Sequence, residues 1–264
     1  MTRALAIAIV LLAIAGAAGA QERDFCADRP GKGSPPCVLD KGRFQVEISG
    51  ADAAFTRGGG VSIDDVSYGA LELRLGLAST VEGQMTWTPR VRGRTRSRGV
   101  VSTVSGTGDL GLALRWSLKN PAGDGVSIAA QPFVVAPTGA KGIGGDAWQG
   151  GVIVPVSVPL DTDWSLSLSP EMDVRPNASG SGRHAGYALA GGVGRAVGAV
   201  NLGAELWVDV DDDPAGRVTK ASFDLTAAWT PKALKDVQLD ASAYVGLNRK
   251  TPDLELVVGI AHRF

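Results

Sequence analysis

Arginine recurs at every second position from Arg90 through Arg92, Arg94 and Arg96 to Arg98. In an extended chain that spacing puts all these guanidinium groups on one face. A cationic track of this kind draws anionic solutes into a low-dielectric mouth. The plainer reading is a solvated hairpin, or a wall balanced by carboxylates opposite. Asp209-Val210-Asp211-Asp212-Asp213 has the acidic density of a calcium loop, but Pro214 stands where glycine is needed and Lys220 where the closing acid belongs. It reads as an acidic loop tip, and no metal site is expected. The run from Gly139 to Gly145 lacks the Gly-Lys-Ser/Thr ending of a phosphate cradle and reads as an outer loop. Catalysis has little to work with: the histidines are His184 and His262, no Gly-x-Ser-x-Gly occurs, and a spatial Ser-His-Asp site would have to use His184. The expectation is a protein that is not an enzyme and carries no cofactor.

The elements that hold these residues are legible from the carboxyl end. From Leu254 to Phe264 bulky apolar side chains alternate with Glu255, Gly259, Ala261 and Arg263. A strand repeats every two residues, so one face is apolar and the other small or charged. About ten residues is what a tilted strand needs to cross a bilayer, and a terminal strand closing on Phe264 looks like the signal read by the outer-membrane barrel assembly machinery. The competing reading is a buried last strand of a soluble sandwich.

The amino end narrows the choice. Residues 1–20 carry one basic residue, Arg3, then an apolar run from Ala4 to Ala15, then small residues ending in Ala18-Gly19-Ala20. This is the pattern of an export leader, too short to span comfortably as a helix. A formal net charge of −1 provides no basic surface for nucleic acid. The 36 glycines and 14 prolines are spread without a collagen period, as in many short strands joined by turns. A mean hydropathy of +0.09 suits a barrel with a polar lumen. In an exported chain, Cys26 and Cys37 are expected to pair as a disulfide, since two cysteines without a nearby histidine cannot complete a zinc site.

Period-two segments fall at 42–55, 64–78, 82–95, 106–119, 125–137, 149–159, 163–175, 184–195, 200–210, 218–230, 236–247 and 254–264, which predicts an antiparallel transmembrane barrel of about twelve strands. Residues 1–20 are then a signal peptide, 21–41 a periplasmic or lumenal segment with the disulfide loop, and 42–264 the barrel. Short connections fall after the even-numbered strands, and the longest, Arg96–Ser105 and Thr138–Trp148, after odd ones, so both termini lie on the periplasmic side. Parity places Phe44, Trp116, Trp164, Trp229 and Phe264 outward at the periplasmic rim as an aromatic girdle, with Trp87 the best candidate for the outer one. The same parity turns Arg74, Arg90, Arg92, Arg115, Phe133, Glu171, Asp173, Glu205, Trp207, Asp209, Asp224, Asp240 and Tyr244 toward the lumen. His262 falls on the outward face.

The chain resembles an outer-membrane transporter-like family named for the meta-pathway of phenol degradation. The resemblance rests on Phe25–Gly33 with Pro35-Pro36-Cys37, on Gly108-Asp109-Leu110, on Gln131-Pro132-Phe133 followed by Pro137-Thr138-Gly139, on Asp211–Pro214, and on Gly246–Asp253 running into Arg263-Phe264. It implies an outer-membrane barrel that moves small molecules, aromatic compounds among them, and it assigns no binding or catalytic residue. The expected function is a channel for passive passage of small solutes. The alternative is a non-conducting structural or adhesive barrel. Expected partners are outer-membrane lipid and lipopolysaccharide, the barrel assembly machinery and a small-molecule solute, with no nucleic acid.

Overall fold

Alternating side chains are realised as β-strand along most of residues 22–264, which are the residues that the computed structural model describes; the leader expected over 1–20 lies outside them. The wall consists of twelve antiparallel strands: β1 (Phe44–Gly58), β2 (Val61–Ala78), β3 (Val81–Trp87 and Arg90–Ser97), β4 (Val100–Gly106 and Leu110–Lys119), β5 (Ser127–Ala136), β6 (Gln149–Ile153 and Val156–Pro159), β7 (Trp164–Pro176), β8 (Arg183–Val197), β9 (Val200–Asp211), β10 (Val218–Trp229), β11 (Val237–Gly246) and β12 (Leu254–Arg263). Each strand pairs with its neighbours in sequence, and β1 pairs with both β2 and β12, so the sheet closes on itself; the stretch Val100–Gly106 pairs on one side only, with Arg90–Ser97. β3 and β6 are interrupted at Pro89 and Pro155, where a missing N–H cannot continue the ladder.

Burial runs opposite to that of a water-soluble protein. Arg74, Arg115, Gln45, Glu47, Glu82 and Asp224 are among the most deeply buried side chains, while Leu112, Leu114, Trp116, Leu206 and Leu225 are at least 48% exposed. A soluble sandwich would bury the second set and expose the first. An apolar exterior around a charged interior is the arrangement that lipid outside and polar atoms inside require. Phe44, Trp116, Trp164, Trp229 and Phe264 lie at the same end of the barrel, and the tilted Phe44 and Phe264 rings have centroids 5.9 Å apart. Tyr68, Trp148 and Tyr187 are exposed in the other half of the wall, and with Trp87 they supply the second rim.

Two expectations are corrected. The stretch Arg96–Ser105 is not a loop: β3 and β4 continue in register to a two-residue turn at Arg98-Gly99, with φ of 49° and 82°. Gly59-Gly60, with φ of 58° and 77°, closes β1 and β2 in the same way. Positive φ at both central residues gives the turn whose twist matches the strands it joins. The second correction concerns parity. Across the break at Thr88-Pro89 the alternation shifts by one, so Arg90 and Arg92 pair with Tyr68 and Val66 on the outer face rather than lining the lumen. Gly93, their neighbour in the ladder, faces inward against Asp65.

Candidate functional site

Inside the wall lies the amino-terminal segment. Cys26 and Cys37 are disulfide-bonded, and the loop they close sits in the lumen, held by charges from around the barrel. Asp28 meets Arg115 of β4 at 2.5 Å and Arg74 of β2 at 3.0 Å. Both arginines are fully buried; Arg74 also pairs with Glu47 of β1 at 3.1 Å and Glu82 of β3 at 2.9 Å, and Arg115 with Glu82 at 3.1 Å. The Asp28 and Arg29 backbone N–H groups donate to Glu47 at 3.0 and 3.2 Å. The Arg29 side chain donates to Asp240 of β11 at 2.8 Å and to Ser49. Gln45 and Arg74 both donate to the Cys26 carbonyl, Tyr244 to that of Pro30, and Ser169 to that of Ser34. Removing a single partner from such a net leaves a buried charge uncompensated, which is the costly case.

Electrostatics hold the insert in its ionised state. Burial pushes the Asp28 carboxyl upward, but the guanidinium groups of Arg115 and Arg74 outweigh it and leave Asp28 below the usual carboxylate range. At the end of the barrel where the chain enters β1, Cys37, Val38 and Leu39 are buried, the Leu39 N–H donates to Glu82 at 2.8 Å, and Gly42 and Gly76 join the segment to β2. A side chain at Gly76 would run into the Asp40 backbone, so glycine there is what lets the chain pass.

The lumen candidates Arg74, Arg115, Phe133, Glu171, Asp173, Glu205, Trp207, Asp209, Asp224, Asp240 and Tyr244 all fall on the inward face in the observed register. They form three groups. Arg74 and Arg115 grip the insert; Asp173 and Asp209 share Arg175 at 2.5 Å each, with Glu171 on the same face; Glu205, Trp207, Asp224 and Tyr244 surround Lys32. Asp240 reaches Arg29. Glu47, Glu82, Gln131, Asp52 and Glu255 also belong to the interior. Glu47 and Glu82 were readable: each lies at inward parity two residues from an inward glutamine, Gln45 and Gln84. A cavity of about 420 Å³ remains beside the insert, lined by Asp28, Arg29, Lys32, Glu72, Phe133 and Tyr244 among others.

The remaining motifs are occupied locally. The N–H groups of Gly139 and Gly145 donate to the two oxygens of Asp109 at 2.7 and 2.6 Å, so that loop is organised by its own carboxylate. In the acidic run, Asp209 serves Arg175, Asp211 serves His184, Asp212 pairs with Arg217, and Asp213 accepts from the Ala178 and Ala215 N–H groups. Among the described residues no group of three or more His, Cys, Asp or Glu side chains is placed to hold a metal. His184 engages Asp211 through Nε2 and Asn177 through Nδ1.

Residues 27–264 match the family model described as "Putative MetA-pathway of phenol degradation". The chain belongs to this family. Among solved structures it is similar to the COG4313 outer membrane channel from Pseudomonas putida F1, at 17% identity and a TM-score of 0.68, covering 89% of this chain and 99% of that one. It is also similar to the translocator domain of autotransporter NalP from Neisseria meningitidis, at 13% identity and a TM-score of 0.55, covering 85% and 89%. A third, the KdgM porin, is 11% identical with a TM-score of 0.51, covering 83% and 99%. A search among curated proteins found no significant match. At these identities the likeness is one of fold, that of closed outer-membrane barrels.

Proposed function

We propose that the protein is an outer-membrane channel through which small molecules, aromatic compounds among them, pass passively along the space between the insert and the β2–β5 side of the wall. The observation that carries the reading is the cavity of about 420 Å³, lined by Glu72, Gln84 and Gln131, with Phe133 beside Gln131 on β5 and Tyr244 on β11. Polar groups in the wall keep a path hydrated, and ring faces offer stacking to planar solutes. The family's name agrees with an aromatic solute. A non-enzymatic role is supported by His184, whose ring nitrogens are engaged by Asp211 and Asn177 rather than by a serine.

Export by the residue 1–20 leader and insertion through a terminal signal ending in Phe264 belong to the same proposal. The outward guanidinium groups of Arg90 and Arg92 would meet the phosphates of lipopolysaccharide at the outer rim. A second reading, a closed structural barrel, draws support from the density of ion pairs between insert and wall. Flux assays separate the two. Liposomes carrying the protein should swell in small sugars and small aromatic acids faster than empty liposomes, and no difference for any solute would leave only the closed barrel.

A further inference from the structure

Across β9, β10, β11 and β12 one lateral row of the lumen reads Glu205, Asp224, Tyr244, Glu255, each residue in register with the next. Against it lies Lys32 of the insert. Its ammonium group is 3.2 Å from Glu255, 3.9 Å from the centroid of the Tyr244 ring and 5.0 Å from that of Trp207. Glu205 accepts the Lys32 and Gly33 N–H groups at 3.0 and 3.2 Å. Asp224 is fully buried, and among the described residues neither of its oxygens has a donor in hydrogen-bonding geometry. One ammonium therefore faces three carboxylates and two ring faces, with one carboxylate left over. Buried carboxylates without donors are expensive, and aromatic faces combined with anions are what a desolvated ammonium group requires.

We propose that this row is a binding site for small organic ammonium ions, and that Lys32 occupies it as a tethered competitor. The proposal deepens the channel reading and rests on it for the route by which a solute arrives: Lys32, Tyr244 and Glu255 all line the open cavity. An amine entering there trades places with the Lys32 ammonium, takes up Glu255 and Asp224, and frees the insert between Pro30 and Ser34. The ring faces favour an alkyl or aryl ammonium over a bare metal ion, and a neutral solute gains nothing from the carboxylates.

The test is calorimetric titration of the full mature protein in detergent with benzylammonium chloride, benzyl alcohol serving as the neutral control. Lys32→Met keeps the stem and removes the charge, so benzylammonium should bind at least tenfold more tightly to this variant than to wild type, and benzyl alcohol should bind neither. Adding Asp224→Asn or Glu255→Gln to Lys32→Met should abolish the gain. Equal affinity in wild type and Lys32→Met, or a gain indifferent to Asp224 and Glu255, would overturn the site. Should Lys32→Met fail to assemble, Asp224→Asn in the wild-type background must itself weaken benzylammonium at least tenfold, and an unchanged affinity there overturns the site as well. Binding in micelles does not need conduction, so a protein that binds benzylammonium yet passes no solute in liposomes would retain the site and lose the channel.

Discussion

Arg115 is a fully buried cation that joins Asp28 of the insert to Glu82 and Gln131 of the wall. Arg115→Met would leave Asp28 and Glu82 sharing Arg74 alone, and breaking a buried pair on one side costs roughly 3–5 kcal/mol. We expect a loss of that size in urea unfolding from lipid vesicles, and a smaller one when Asp28→Asn removes the orphaned charge as well. The same residues set a pH response. Because Asp28 is held below its ordinary value of 3.8, its contribution to docking is fully present above that value and is lost as pH falls through the depressed one. Asp28 is faced by Arg74, Arg115, Glu47 and Glu72; burial opposes its ionisation, the two arginines keep it ionised, and a hydrogen bond with Glu72 acts in the same direction as the arginines. Single-channel conductance of the wild type should therefore show an acid-induced rise only below pH 3.8, and Asp28→Asn should lack this step and conduct more at neutral pH. A step at the same pH in both proteins would take Asp28 out of the mechanism.

At the scale of the element, the strands carry opposite chemistry on their two faces, and substitution should register which face is which. Leu112 of β4 and Leu256 of β12 point outward and are well exposed. Arginine at either position is expected to destabilise the barrel by roughly 2–4 kcal/mol near the bilayer midplane. Neutral outcomes at both, measured by denaturant titration in vesicles, would mean the faces are assigned the wrong way round. The strands were legible because alternation survives in the sequence: Leu110, Leu112, Leu114 and Trp116 need no partner to announce an outward face. The arginine row was misread for a local reason. Pro89 costs the ladder one residue of register, and period two, carried through the break, turns Arg90 and Arg92 to the wrong side. The outer hairpins were shortened in the reading because polar residues such as Arg96 and Ser102 look like loop, whereas Arg98-Gly99 supplies a tight turn that lets pairing continue.

For the whole molecule, closure of β1 on β12 predicts a protein that migrates faster unheated than boiled on a detergent gel and fractionates with outer membranes. Equal mobility, or recovery in detergent-free extract, would contradict it. The place of the insert was not legible. Asp28 and Arg115 stand 87 residues apart, and no local pattern ties an aspartate in a turn-rich segment to an arginine on a strand face. The charged residues of the loop offered two destinations, periplasm or lumen, and the buried partners Glu47, Glu82 and Asp240 select the lumen. The central claim is that this insert restricts a lumen built by the strands alone. Planar-bilayer conductance of the mature protein, compared with a form lacking residues 21–39 behind an intact signal peptide, tests it most directly. The account predicts a heat-modifiable barrel of markedly higher conductance after the deletion; an equally well folded barrel of unchanged conductance would contradict it.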